Sequence, residues 1–216
     1  MSSTSEYLLD KYSTLYKNAT EHPLPKELCA GTLSDRALYV YLTQDLEFFE
    51  TGLRLICRIT SMAPEVPSLI TLAKKVGFFA SDENTYFRDC LAHLEKELDD
   101  STVQEVKDKK IIPGVDKYVD YLVELTQDQK YDYPGLIAYL WCAEQVYLKW
   151  AHDLPRANNL HWKYQTWIDL HDGEHFITWC DFLRAEVDKF SPKQVEEVFA
   201  KTLQHEFNFF DSCYKA

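Results

Sequence analysis

The chain has 216 residues, 46% of them hydrophobic, 14% aromatic and 27% charged. That is enough for a single domain burying about 70% of the surface its unfolded form would expose, with no need of a metal or a disulfide. A formal net charge of −12 sets a field that repels phosphate backbones and anionic lipid heads, which argues against nucleic acid and membrane surfaces as partners.

The opening, MSSTSEYLLDKYSTLYKNAT, shows neither the apolar block of a signal peptide nor the arginine-rich, acid-poor makeup of a transit peptide. Nowhere is the chain apolar over the roughly 18 residues that a membrane-spanning helix needs. A cytoplasmic location is therefore expected. With only 6 Gly and 8 Pro, and apolar residues recurring three and four apart, the pattern predicts an all-α protein without strands.

In chain order the spacing predicts helices over Ser5 to Thr20, Ser34 to Met62, Val66 to about Leu98, Gly114 to Thr126, Tyr133 to Asp153, Asn159 to Leu170, Gly173 to Phe190 and Ser191 to Tyr214. PEVPS (Pro64 to Ser68) and IIPG (Ile111 to Gly114) break the pattern, because proline lacks the N–H and clashes with the preceding turn. SPKQ places Ser191 at an N-cap, Pro192 at the first helical position and Gln194 where a capping box wants it. The polar stretch from Leu94 to Lys110 reads as a solvated connection or a short helix. No repeat or linker appears, so residues 1–216 are read as one domain.

Three carboxylates stand among apolar neighbours. Asp45 has Tyr41 one turn before it and Phe48 and Phe49 one turn after; Glu144 is the only acid between Gly135 and Leu148; Glu206 has Phe209 and Phe210 on its own face. An ionised carboxylate moved out of water costs several kcal/mol unless it is paired, protonated or given work. A basic heterocycle suits it: an aminopyrimidine offers a ring nitrogen and an exocyclic amine to a two-pronged acid while aromatic rings cover its faces. A surface position or a salt bridge to Arg54 or Arg58 for Asp45, and surface positions for Glu144 beside Lys149 and His152 or for Glu206, are the plainer alternatives.

The six cysteines are scattered without a C-x-x-C pair and are expected as thiols. Cys142 could be a nucleophile. It lies two residues before Glu144, about 200° round a helix, so the two share no face, and a buried, inert thiol is the favoured reading. His171 and His175 are four apart with Gly173 between them, and no second acid-histidine pattern accompanies them, so neither a metal nor another cofactor is expected.

Taken in order, these residues resemble the TenA family, the thiaminase II type of aminopyrimidine hydrolases, over Ser5 to Tyr214. YLTQDLEFF resembles the family stretch that carries the pyrimidine-binding aspartate, which places it at Asp45 with the pocket aromatic at Phe48. PGVDKYVDYL is similar to the segment bearing the pocket tyrosine, here Tyr118. HEFNFFDSCY resembles the family's C-terminal motif, with Glu206 as the catalytic acid and Asp211 and Tyr214 fitting as well. The run from Trp141 to Tyr147 is similar to W-x-x-E-x-x-Y, the mark of a branch that uses a glutamate in place of a nucleophilic cysteine.

The resemblance implies a heme-oxygenase-like helical bundle and hydrolysis at the exocyclic methylene of an aminopyrimidine in thiamin salvage, with no cofactor. Asp45, Phe48, Tyr118, Tyr147 and His171 would bind the substrate, an aminomethyl or hydroxymethyl pyrimidine. Glu206 and Glu144 would be catalytic, the latter activating water or pairing with Glu206. Cys142 stands where the other branch has its nucleophile, but no proline precedes it, and Val146 replaces that branch's tyrosine. His171 replaces a pocket tyrosine. A homo-oligomer, dimer or tetramer, is implied too.

The alternatives are a catalytically inactive aminopyrimidine-binding or regulatory protein, since fold does not guarantee activity, and a heme-handling enzyme, for which the only early histidine is His22.

Overall fold

A computed structural model describes residues 2–109 and 111–216. Among these every regular element is helical. They are α1 (Thr4–Lys11), α2 (Ser13–Thr20), α3 (Pro23–Ala30), α4 (Asp35–Met62), α5 (Val66–Phe78), a π-helical turn (Phe79–Glu83), α6 (Asn84–Glu97), α7 (Asp100–Asp108), α8 (Pro113–Gln127), α9 (Tyr133–Asp153), α10 (Trp162–Leu170), α11 (Glu174–Val187) and α12 (Pro192–Lys215).

The chain forms two compact units. One comprises everything up to Gly31 together with Asp128–Phe207; the other comprises Thr32–Gln127 with Asn208–Ala216.

The first unit is organised around α9, which packs against α11, α2 and α3. From Gly135 to Cys142 every residue of α9 is buried, which explains why this stretch is apolar all round rather than along one stripe. Asp132 caps it, accepting from the Gly135 N–H at 3.3 Å, and Pro134 sits in the first turn, where its missing N–H costs nothing. At α12 the Gln194 side chain accepts from the Ser191 N–H at 3.1 Å as a capping box requires, while the Ser191 hydroxyl donates to the same Gln194 oxygen at 2.9 Å.

The second unit is organised around the long helix α4, against which α8, α5 and α6 pack. Ser34 caps α4 by accepting from the Ala37 N–H at 3.1 Å. Gln44, buried on α4, accepts from the Ile112 N–H at 2.8 Å and so anchors the entry to α8.

Several boundaries differ from the sequence expectation. The first predicted helix is two, split at Tyr12, which is the C-cap of α1 and the N-cap of α2. Helix α3 was unexpected, although Pro23 in its first turn and Gly31 in the left-handed conformation at its end are start and stop signals. The predicted helix from Val66 to Leu98 is interrupted by the π-helical turn, and α10 starts three residues late because Asn159 takes a positive φ of 58°. The polar stretch contains a nine-residue helix, α7; Lys110 at its end lies outside the described residues.

Candidate functional site

In the second unit, Asp45 is 4% exposed on α4. One turn further on, the half-buried Phe48 meets Tyr118 of α8 with ring centroids 4.7 Å apart, and both rings meet Phe209, at 5.8 and 6.5 Å. Tyr41, one turn before Asp45, packs edge-on to Phe209 at 6.0 Å. Thus three of the predicted binding residues, Asp45, Phe48 and Tyr118, stand on two packed helices around one ring cluster.

The Asp45 charge is felt by two further groups. The buried Cys213 thiol is pushed well above its ordinary value by burial and then by Asp45; the Tyr86 phenol is raised chiefly by burial, with Cys90, Tyr41 and Asp45 adding to it. Neither residue was predicted from the sequence. Tyr86 follows the π-helical turn, whose extra residue shifts the helical phase, so no 3.6-residue periodicity pointed to it. Phe49, on the same helix as Asp45, packs on Phe87 at 5.4 Å and Phe79 at 6.4 Å.

In the first unit, Glu206 is 2% exposed on α12. Its charge, after burial, holds the Cys142 thiol well above the ordinary cysteine range. Cys142 is 1% exposed, and its Sγ donates to the Phe199 carbonyl at 3.6 Å, so it is held as a protonated thiol facing α12. Trp141 stacks on Phe199 at 5.4 Å. Glu144 is only half-buried, and its carbonyl accepts from the Cys180 thiol at 3.6 Å.

Tyr147 and His171 meet at 4.8 Å, in a box completed by Trp167 at 4.3 Å and Phe176 at 5.3 Å from the histidine ring. His171 Nδ1 lies 2.9 Å from the Trp167 carbonyl, which can only accept; the ring therefore carries its proton there, and in the neutral form presents Nε2 as an acceptor. The turn after His171 is pinned by Asp172, which accepts from His152 at 2.8 Å and pairs with Arg156.

His22 is the N-cap of α3, its Nδ1 accepting from the Leu24 N–H at 3.1 Å, a structural use at odds with an axial heme ligand on the first helix. Among the described residues no group of three or more His, Cys, Asp or Glu could hold a metal ion, and no helix is long and apolar enough to cross a membrane. A half-open surface recess of about 350 Å³ beside Lys149 and Lys26 contains none of the predicted site residues, and its charges are already paired, Lys26 with Glu21 at 3.7 Å and Lys149 with Asp153.

Asp45 and Glu206 are thus buried acids on an all-helical scaffold. The chain belongs to the TENA/THI-4/PQQC family, whose model matches residues 9–216. A curated relative, the thiamine biosynthesis multifunctional protein ThiED of Corynebacterium efficiens, is 24% identical over 190 residues, 85% of this chain; the chain spans only 24% of that protein's length. Among solved structures, a TenA homologue from P. horikoshii OT3 superposes with a TM-score of 0.79 at 17% identity, covering 99% of both chains. A protein described as a TenA family transcription regulator, from Silicibacter sp. TM1040, gives 0.78 at 16% identity, covering 99% of this chain and 97% of its own. At these identities the likeness establishes the fold.

Proposed function

We propose that the protein is an aminopyrimidine hydrolase of thiamin salvage, of the glutamate-type branch, working in the cytoplasm as a homo-oligomer. The observation that carries this reading is the burial of two carboxylates, Asp45 and Glu206, at 4% and 2% exposure in a family member. Carboxylates so enclosed are costly unless they are paired, protonated or used by a ligand, and buried ionisable groups concentrate at functional sites.

Asp45 holds the ring nitrogen and exocyclic amine of the pyrimidine, and Phe48 and Tyr118 cover its faces. Tyr147 and His171 contact the substrate from α9 and from the end of α10. Glu206 protonates the amine on the exocyclic methylene. Water, deprotonated by Glu144, forms the new C–O bond as the C–N bond breaks, so that an aminomethyl pyrimidine and water give the hydroxymethyl pyrimidine and ammonia. Cys142 takes no part, in keeping with its raised pKa and its hydrogen bond to Phe199.

The test is ammonia release from 4-amino-5-aminomethyl-2-methylpyrimidine by the purified protein. Glu206→Gln should lower kcat by about 10² to 10⁴, or roughly 3–5 kcal/mol of barrier, with a smaller change in pyrimidine affinity. Unchanged turnover in that variant removes the acid's role. Tight binding without ammonia release by the wild type supports instead a regulatory protein, a reading favoured by the regulator description of the Silicibacter neighbour.

A further inference from the structure

Five helical threonines in this protein satisfy their own hydroxyls, while among the described residues two with enclosed hydroxyls, Thr43 on α4 and Thr202 on α12, have no hydrogen-bond partner. Thr20, Thr60, Thr71, Thr85 and Thr126 each donate their hydroxyl to the carbonyl four residues back, at 2.6–3.0 Å. This back-bond is one of the two rotamers open to a helical threonine and satisfies the hydroxyl without outside help. Thr202 on α12 is 0% exposed, more enclosed than any of these five, yet its Oγ1 has no hydrogen-bond partner in the protein.

An unsatisfied buried hydroxyl destabilises the fold, and the satisfied rotamer is adopted elsewhere in this same chain. Thr202 stands one turn before Glu206, on the same face of α12, where residues four apart lie about 5–6 Å from each other at Cβ. One turn before Thr202, Phe199 is covered by the stacked indole of Trp141, whose Nε1 is likewise fully enclosed and without a hydrogen-bond partner. Thr202 and the indole packed on Phe199 thus each bring an unused donor to this stretch of the first unit.

We propose that Thr202 is a further ligand contact: its hydroxyl hydrogen-bonds the small donor–acceptor group on which Glu206 acts, the departing amine or the water that replaces it, and the Trp141 indole N–H is a second donor to the same end of the ligand. This rests on the aminopyrimidine reading above. A hydroxyl is suited to the task because it both donates and accepts, and so serves an amine before the reaction and a hydroxyl after it.

The experiment compares wild type, Thr202→Val, Thr202→Ala and Thr202→Ser by thermal unfolding, with and without 4-amino-5-hydroxymethyl-2-methylpyrimidine, and by steady-state ammonia release. Thr202→Val keeps the shape and removes the orphaned hydroxyl, so the ligand-free protein should melt about 2–6 °C higher. The same variant should lose about tenfold or more in kcat/KM and show a smaller ligand-induced rise in melting temperature. Thr202→Ala should show the same kinetic loss, and Thr202→Ser should restore both the kinetics and the ligand response. An active wild type with Thr202→Val and Thr202→Ala matching it in kcat/KM and ligand response overturns the contact alone. A wild type that neither binds nor turns over aminopyrimidines overturns the functional reading and the contact with it.

Discussion

A single added methyl group should disturb the ring cluster around Asp45 from a distance. Gly114 is the second residue of α8, and an alanine Cβ there would lie 1.9 Å from the Ser212 Oγ and 2.9 Å from the Ser212 Cβ. Rotating the serine can relieve the first contact but not the second, because the Cβ is fixed to the backbone of α12. Overpacking of this kind costs about 1–3 kcal/mol, and the helix propensity gained by replacing glycine returns roughly 0.5–1 kcal/mol, for a net loss of about 0.5–2 kcal/mol. Urea denaturation measures it. The double variant Gly114→Ala/Ser212→Gly removes both close contacts and leaves only the Asn208 carbonyl at 3.6 Å, an ordinary van der Waals distance. The cycle should then give a favourable coupling of about 1 kcal/mol or more. Because Tyr118 lies one turn beyond Gly114, the single variant should also raise KM for the pyrimidine. Gly114→Ala as stable as wild type, with no coupling to Ser212, would refute the close approach of α8 and α12 in this unit.

Three further outcomes follow from the same structure. Cys142→Ser should keep turnover within about threefold, because the thiol is buried and protonated, and iodoacetamide should label Cys57, the only exposed cysteine among the described residues, before any other; rapid inactivation through Cys142 would count against this. Tyr133→Phe removes a 2.8 Å hydrogen bond to the buried Glu186 and should cost about 1.5–3 kcal/mol in urea denaturation, with an unchanged midpoint as the contrary result. Asp99, whose carboxylate accepts from the Ser101 hydroxyl and then from the Thr102 N–H, is held down at about 2, so its capping of α7 is present above the ordinary value of 3.8 and lost as pH falls through about 2. Carboxyl NMR of Asp99 should give a midpoint near that value; a midpoint near 4 would show that the cap is absent.

The helical character and most helix ends were legible because local rules set them. Proline and glycine punctuate the joints at Pro64–Ser68 and Ile111–Gly114, and the Ser191 cap reads directly from SPKQ. The same rules, applied more closely, would have exposed α3 between Pro23 and Gly31. The break at Tyr12 carries no such mark, and the π-helical turn at Phe79–Glu83 depends on how α5 and α6 settle on α4, which no local pattern encodes.

For the site, the aromatic neighbours of Asp45 were legible at helical spacing, but the pairing of Phe48 with Tyr118 joins residues 70 positions apart and needed the family resemblance. The greasy stretch of α9 predicted burial, yet its central acid, Glu144, is only half-buried while its neighbours Trp141 and Cys142 are enclosed. Thr202 gave no signal in the sequence, since what marks it is a hydrogen bond it does not make.

The most direct test is to run the reaction in H₂¹⁸O with 4-amino-5-aminomethyl-2-methylpyrimidine and weigh the product by mass spectrometry. Hydrolytic displacement at the exocyclic methylene predicts a hydroxymethyl pyrimidine carrying one ¹⁸O, formed by the wild type and by Cys142→Ser but nearly lost in Glu206→Gln. Product without label, or no product from the wild type, would contradict the account.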